Sequence, residues 1–171
     1  MKKELVTIGR NVSVDFIGHA EHVPAKVDTG ADSSSVWVSN VSVTPAGILQ
    51  FTLFGEGSPY YTGRMITREH YRVAVVRSAT GHEQIRYRTA FSVRAAGKRI
   101  RITLNLSDRS LNKFPVLVGR RSISGKFVVD VQQAEYTDAK SVFETENGRL
   151  NEELASGAYD FYKKYYKKDI N

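Results

Sequence analysis

Apolar and polar residues alternate with a period of two through most of the first 130 positions. Val12, Val14 and Phe16 alternate with polar neighbours. Val36 and Val38 do so around Trp37, with Val41 and Val43 close behind. Leu49, Phe51 and Leu53 keep the period, as do Val73 and Val75. Tyr87, Thr89, Phe91 and Val93 form another set, and Ile100, Ile102, Leu104 and Leu106 the last. Successive side chains of a strand point to opposite faces, so this spacing predicts strands with one buried face. Gly, Pro, Asn and Ser clusters separate them. Gly47, Gly63, Gly81 and Gly97 mark turns, and Gly55-Glu56-Gly57-Ser58-Pro59 predicts a hairpin tip. The fold class expected is mainly β, an antiparallel barrel or sandwich.

The tail changes period. Leu150, Leu154, Ala158, Phe161, Tyr162 and Tyr165 follow helical spacing, predicting a helix over about 151–168. Asn151 is the expected N-cap, with Glu152 and Glu153 in the first turn. Lys163, Lys164, Lys167 and Lys168 fall in the last turns, where cations favour the helix dipole. Gly157 weakens the middle by about 1 kcal/mol relative to Ala and marks a possible break. Residues 132–150 are polar and predict a loosely ordered connector. The organisation expected is a β domain over 1–134, then a connector and amphipathic helix over 135–171, its tyrosine stripe packed on the barrel or on a partner subunit.

Composition narrows the class. The chain has 171 residues, 41% apolar and 25% charged, as ordinary globular proteins do. No apolar run reaches the roughly 18 residues of a membrane span, and the amino terminus lacks the long apolar centre of a signal peptide. Zero cysteines exclude disulfides and thiolate metal sites, and fit a cytoplasmic protein. The net charge of +7 is uneven. Residues 1–130 carry 19 Lys and Arg against 10 Asp and Glu, and residues 131–171 carry 6 against 8. Within 64–101, nine arginines and Lys98 face only Glu69 and Glu83. Such a field attracts an acidic partner, nucleic acid or acidic peptide, unless it is simply a solvated arginine face. The arginines are dispersed and lack the interleaved aromatics of a base-stacking platform, which argues against nucleic acid.

The candidate chemistry lies in Asp28-Thr29-Gly30-Ala31-Asp32-Ser33, entered from Val23-Pro24-Ala25-Lys26-Val27. A strand delivers a carboxylate into a tight turn. The Thr29 hydroxyl can tie the turn down, and Gly30 and Ala31 leave room above it. Two such turns facing each other let two carboxyls share one proton and activate a water. This chain has one, so that chemistry requires a homodimer. The plain alternative for Asp28 is an aspartate that stabilises its own turn. A second element is the apolar strand Phe114-Pro115-Val116-Leu117-Val118 followed by Gly119-Arg120-Arg121, then Ser122-Ile123-Ser124-Gly125, a potential short helical turn.

In the order of these two elements the chain resembles the retropepsin-like aspartic proteases, in which a strand bearing Asp-Thr-Gly-Ala is crossed later by one ending in Gly-Arg. Ala25–Ala31 and Leu117–Asp130 are most similar to the RimB-type branch, over roughly residues 8–131. Many of its members carry an "ATP-dependent zinc protease" label, and their genes often accompany an ATP-grasp ligase that adds glutamates to a ribosomal protein. The resemblance implies a closed retropepsin-like barrel and an endopeptidase without a cofactor. It implies Asp28 as the catalytic carboxylate, with a Thr29 hydroxyl bonded across the dimer axis and Gly30 allowing close backbone approach. Ala31, Asp32, Gly119 and Arg120 are implied at the substrate side, with Gly119 against the catalytic turn and Asp32 paired to Arg120. RimB-type sequences often carry arginine at the Asp32 position, which places this chain nearer to retropepsins there. The implied partners are a second copy of the chain, a peptide or protein substrate, acidic given the charge, and an ATP-grasp glutamate ligase. Gly55–Tyr60 is a candidate flap or a plain solvent hairpin.

The zinc and ATP labels find no support in the residues. There is no His-Glu-x-x-His. His19 and His22 flank Glu21 in a loop-like segment, His70 and His82 stand alone, and no metal is expected. Ala96-Gly97-Lys98 lacks the glycine spacing and following helix of a phosphate loop. Two alternative functions remain: a non-catalytic module binding acidic peptides or the ligase, and a nucleic-acid-binding barrel.

Overall fold

A computed structural model gives the fold and describes residues 5–77, 81–136 and 142–165. The chain divides into two compact units, residues 1–136 and 137–171. In the first unit the strands are β1 (Val6–Ile8), β2 (Asn11–Phe16), β3 (Ala20–Asp28), β4 (Ser34–Val43), β5 (Leu49–Leu53), β6 (Met65–Arg68), β7 (Arg72–Arg77), β8 (Glu83–Ala95), β9 (Lys98–Ser107), β10 (Val116–Gly119) and β11 (Phe127–Val129), with one helical turn, α1 (Arg120–Ile123), after β10. Six of them, in the ring order β10, β3, β2, β8, β9, β4, close on themselves as a barrel. The protein is mainly β.

The barrel is mixed, and not antiparallel as the alternation suggested. Strand β10 lies between β3 and β4, parallel to the first and antiparallel to the second. Strand β4 also runs parallel to β9. A period of two identifies the buried face of a strand but carries no information about its neighbour's direction.

The inward faces come from the alternating positions. Val12, Val14 and Phe16 meet Val23 and Ala25, Val36 and Val38, Phe91 and Val93, Leu104 and Leu106, and Val116 and Val118, all buried. The rings of Phe16 and Phe91 meet edge to face at 5.5 Å, and Phe51 and Phe54 extend the cluster. Each buried large side chain is worth about 1.5–3 kcal/mol. Val41 and Val43 are exposed, because this end of β4 runs past the barrel and pairs only with β5. Val73 and Val75 are exposed too, because β7 pairs with β8 alone.

Beyond Arg88, β8 leaves β9 and continues with β7 as a two-stranded arm. At the other end of β8 a two-residue turn, Ala96-Gly97, joins it to β9 with both residues at positive φ. The predicted hairpin tip at 55–59 lies in the connection between the antiparallel strands β5 and β6, where the Ser58 N–H donates to the Gly55 carbonyl at 3.0 Å, but the whole loop is long and runs over 54–64. Its first residue, Phe54, turns inward and is fully buried, with its N–H donated to the Trp37 carbonyl at 2.8 Å. Burial of that one ring decides the loop's path, which glycine and proline counts do not reveal.

Residues 130–136 are not loose. Asn11, buried, donates through Nδ2 to the Tyr136 carbonyl at 2.9 Å and accepts from the Tyr136 N–H at 2.8 Å. Glu135 accepts from the Ser13 N–H. Gly9 leaves no room for a side chain, since a Cβ there would lie 2.4 Å from the Gln133 carbonyl oxygen.

The second unit contains α2 (Val142–Ser156) and α3 (Ala158–Tyr165), broken at Gly157 as expected. Helix α2 begins well before Asn151, which is therefore an interior residue and not a cap, and 142–150 is helix and not connector. Asn in a helix interior costs only a few tenths of a kcal/mol, so it is a weak stop signal. Within this unit Glu153 accepts from Lys164 at 3.0 Å and from the Tyr165 hydroxyl at 2.9 Å. Lys167 and Lys168 lie outside the described residues. Among the described residues no helix is long and apolar enough to cross a membrane.

Candidate active site

Strand β3 ends at Asp28 because the next residues form a turn, and Asp28 itself closes it. Its Oδ1 accepts from the Gly30 N–H at 3.0 Å and from the Ala31 N–H at 3.1 Å. Asp28 is half-buried, while Thr29 and Gly30 are exposed, so the carboxylate sits at a surface rim and not in the core. A Cβ on Gly30 would lie 3.4 Å from that same carboxylate oxygen and would crowd one approach to it.

The turn is held from beneath by β10 and α1. Gly119 pairs in register with Asp28. A Cβ at Gly119 would lie 2.5 Å from the Ser33 carbonyl oxygen and 2.8 Å from that of Ala31, so only glycine fits between the two segments. Arg120 N–H donates to the Ala31 carbonyl at 2.8 Å, and Arg121 N–H to the Asp32 carbonyl at 3.3 Å. Gly119 N–H donates to Ser34 Oγ at 2.9 Å, and Ser34 Oγ bonds Ser122 Oγ at 2.7 Å, both serines buried. Asn105 of β9 donates through Nδ2 to Ser33 Oγ at 2.9 Å. Arg109, half-buried in the loop after β9, donates to Ser35 Oγ of β4 at 3.2 Å and, within its own loop, to the Phe114 carbonyl at 3.1 Å.

The sequence-derived candidates thus fall in one place. Asp28, Thr29, Gly30, Ala31, Gly119 and Arg120 share this turn and its support. Asp32 pairs with Arg120, and its second oxygen lies 3.8 Å from Arg121 Nη2. All three of these side chains are more than half exposed, so the ion pairs orient more than they stabilise. Ser34, Ser122 and Asn105 were not anticipated. Their signal was present as polar residues in apolar surroundings: Ser33-Ser34-Ser35 opening a strand, and Asn105 between Leu104 and Leu106. A buried polar residue in a core strand usually has a bonding task.

No histidine belongs to this turn, although His70 lines a cavity together with Ser33, Ser34 and Arg121. His19 packs against Phe91, with ring centroids 6.2 Å apart. Burial, and then Arg68 and Arg64, hold its pKa below the ordinary value. The His22 N–H donates to Asp15 Oδ1 at 2.8 Å. Among the described residues no group of three or more His, Cys, Asp or Glu lies close enough to hold a metal ion.

A family model described as RimB-like, retropepsin-like aspartic endopeptidase RimB, matches residues 7–140. The chain belongs to the RimB-like family. The match takes in the Asp28 turn, the Gly119 clamp and the whole barrel. Among solved structures, the RimB-like chain is similar to a protein of unknown function from Legionella pneumophila subsp. pneumophila str. Philadelphia 1, with 23% identity and a TM-score of 0.59 over 77% of this chain and 97% of that one. That likeness concerns the fold. No curated protein matches the sequence.

Proposed function

We propose that this RimB-like protein is a homodimeric aspartic peptidase in which each chain supplies one Asp28. The observation that carries the reading is the turn itself. A half-buried carboxylate is held by two backbone N–H groups at a rim, clamped by a glycine that admits no side chain. An aspartate that merely stabilised a turn would not need β10 pressed beneath it.

Two Asp28 carboxyls brought together across a two-fold axis cannot both ionise easily, so they hold one proton between them. The ionised carboxyl takes a proton from a water lying between them, and the water oxygen bonds to the scissile carbonyl carbon. The protonated carboxyl donates to the carbonyl oxygen as charge develops there. Collapse of the tetrahedral intermediate breaks the C–N bond, and a carboxyl proton passes to the leaving amine. The exposed Thr29 hydroxyl bonds the partner's turn. Asp32 and Arg120 flank the peptide.

The arm of β7 and distal β8 is the cover over the cleft. Its root, Arg88, pairs with Asn105, which in turn bonds Ser33 of the turn. Gly55–Tyr60 suits that role less, because Phe54 is buried, Tyr60 packs on Phe54 at 5.7 Å and Gly55 abuts the Trp37 ring. The surplus of arginine over 64–101 favours an acidic substrate.

Asp28→Asn tests the assignment. Asparagine keeps an oxygen at the Oδ1 position and therefore both turn bonds, so fold and dimer persist while peptide cleavage, read by mass spectrometry, drops to background. Undiminished cleavage by this variant rejects the reading.

A further inference from the structure

We propose that the outer wall of the barrel carries an exosite for an acidic peptide segment, built from Arg72, Arg88, Arg101 and Arg121. The proposal rests on the peptidase reading in one respect: the segment is part of the substrate beyond the cleaved bond.

The site is a cavity of about 810 Å³ bounded by these four arginines together with Ser33 and Ser34 of the turn segment. It lies outside the barrel. Ala90 and Thr103, which line it, are cross-strand partners and alternate with the buried Phe91, Ile102 and Leu104. A second cavity, of about 480 Å³, shares Glu69, His70, Thr89, Ala90 and Arg101 with the first and adds Arg68. The two form one continuous trough. Its lining holds a single carboxylate, Glu69, against five guanidinium groups.

Among the described residues, Arg72, Arg88 and Arg101 form no ion pair, and Arg88 Nε is buried without a hydrogen-bond partner. A donor buried without a partner is costly, and a carboxylate bound to the same guanidinium offsets that cost. Arg121 reaches both ways, lining the trough and standing 3.8 Å from Asp32 beside the catalytic turn.

The trough has room for more than one anion, and its arginines come from five different elements, β6, β7, β8, β9 and α1, which suits an extended chain with repeated carboxylates. Nucleic acid would also bring repeated charge, but binders of single strands offer free aromatic faces. The tyrosine here, Tyr71, is already engaged, edge to face with Tyr87 at 5.7 Å and with its hydroxyl donated to the Gly47 carbonyl at 2.9 Å, which leaves only the His70 ring at the trough.

The test uses the full chain carrying Asp28→Asn, which binds without cutting. Labelled oligoglutamate, oligoglutamine and oligodeoxythymidine are titrated at about 0.15 M salt, where the Debye length is about 8 Å, by fluorescence anisotropy. Oligoglutamate binds and oligoglutamine does not. Adding Arg72→Gln with Arg101→Gln, both exposed and harmless to folding, weakens oligoglutamate about tenfold, as the loss of two surface ion pairs predicts. Arg94→Gln with Arg99→Gln removes the same charge from β8 and β9 outside the trough and changes affinity by less than about twofold. Equal weakening by both pairs, equal binding of oligoglutamine, or tighter binding of oligodeoxythymidine through the same arginines overturns the exosite. With Asp28 intact, the trough variant loses kcat/KM on peptides with a glutamate-rich flank and keeps it on neutral ones. Binding that depends on the trough arginines without cleavage of any peptide supports the exosite and overturns the peptidase reading instead.

Discussion

Gly119→Ala places a methyl carbon 2.5 Å from the Ser33 carbonyl oxygen and 2.8 Å from the Ala31 carbonyl oxygen. Both obstacles are backbone, so no rotamer change relieves them. Regaining even 3.0 Å from Ser33 requires a shift of half an ångström. That shift is resisted on both sides: Ala31 O accepts Arg120 N–H at 2.8 Å, and Gly119 N–H is donated to Ser34 Oγ at 2.9 Å. Overpacking of this kind costs about 1–3 kcal/mol. A hydrogen bond lost with it adds about 1 kcal/mol. The expected destabilisation is therefore about 2–4 kcal/mol, read by urea unfolding with the fluorescence of Trp37, the single tryptophan. Because the displaced atoms belong to the Asp28 turn, kcat/KM of whatever remains folded should fall about tenfold to hundredfold. Gly148→Ala is the contrast, since its Cβ meets nothing within 4 Å on α2 and should stabilise that helix by up to about 1 kcal/mol. An alanine at 119 that unfolds with the parent's midpoint and cleaves at the parent's rate would falsify the clamp.

Other substitutions probe other links. Ser34→Ala strips the acceptor from the buried Gly119 N–H and should cost about 1–3 kcal/mol, whereas Ser122→Ala removes only the hydroxyl contact and should cost about 1 kcal/mol or less. Equal costs in thermal unfolding would contradict that ranking. Ala96 sits at φ +46° in the β8–β9 turn, so Ala96→Asn should raise stability by about 0.5–1 kcal/mol, checked by the denaturation midpoint. His19 resists protonation in the folded state, because burial and then Arg68 and Arg64 lower its pKa from 6.5. Above pH 6.5 both folded and unfolded states are neutral there. As pH falls through 6.5 the unfolded chain gains a proton that the folded one refuses, and stability drops. His19→Gln should flatten the stability profile on the acid side, and an unchanged slope would remove His19 as its source.

Much of the site was visible in the chain because its parts are local. An aspartate whose side chain closes its own turn needs only the three residues after it, so Asp28-Thr29-Gly30-Ala31 already encodes those two amide bonds. Val116–Gly119 announced a buried strand ending in a residue without a side chain. The polar support was harder to see. Ser34, Ser122 and Asn105 acquire meaning only when three segments distant in sequence meet, and a serine has no preferred partner until then. The helix start went unseen because Asn151 is a tolerable interior residue as well as a good cap.

By itself, the order of residues determined which face of most barrel strands is buried, where the acid turn lies and that the strand 116–119 ends in a residue without a side chain. Tertiary structure alone decided that β10 threads between β3 and β4, that Val73 and Val75 face solvent on an arm, and that arginines from β7, β8, β9 and α1 converge on one trough. The reason is physical. Periodicity and turn chemistry act between residues a few positions apart, whereas strand direction, edge exposure and the meeting of like charges follow from pairings across the barrel.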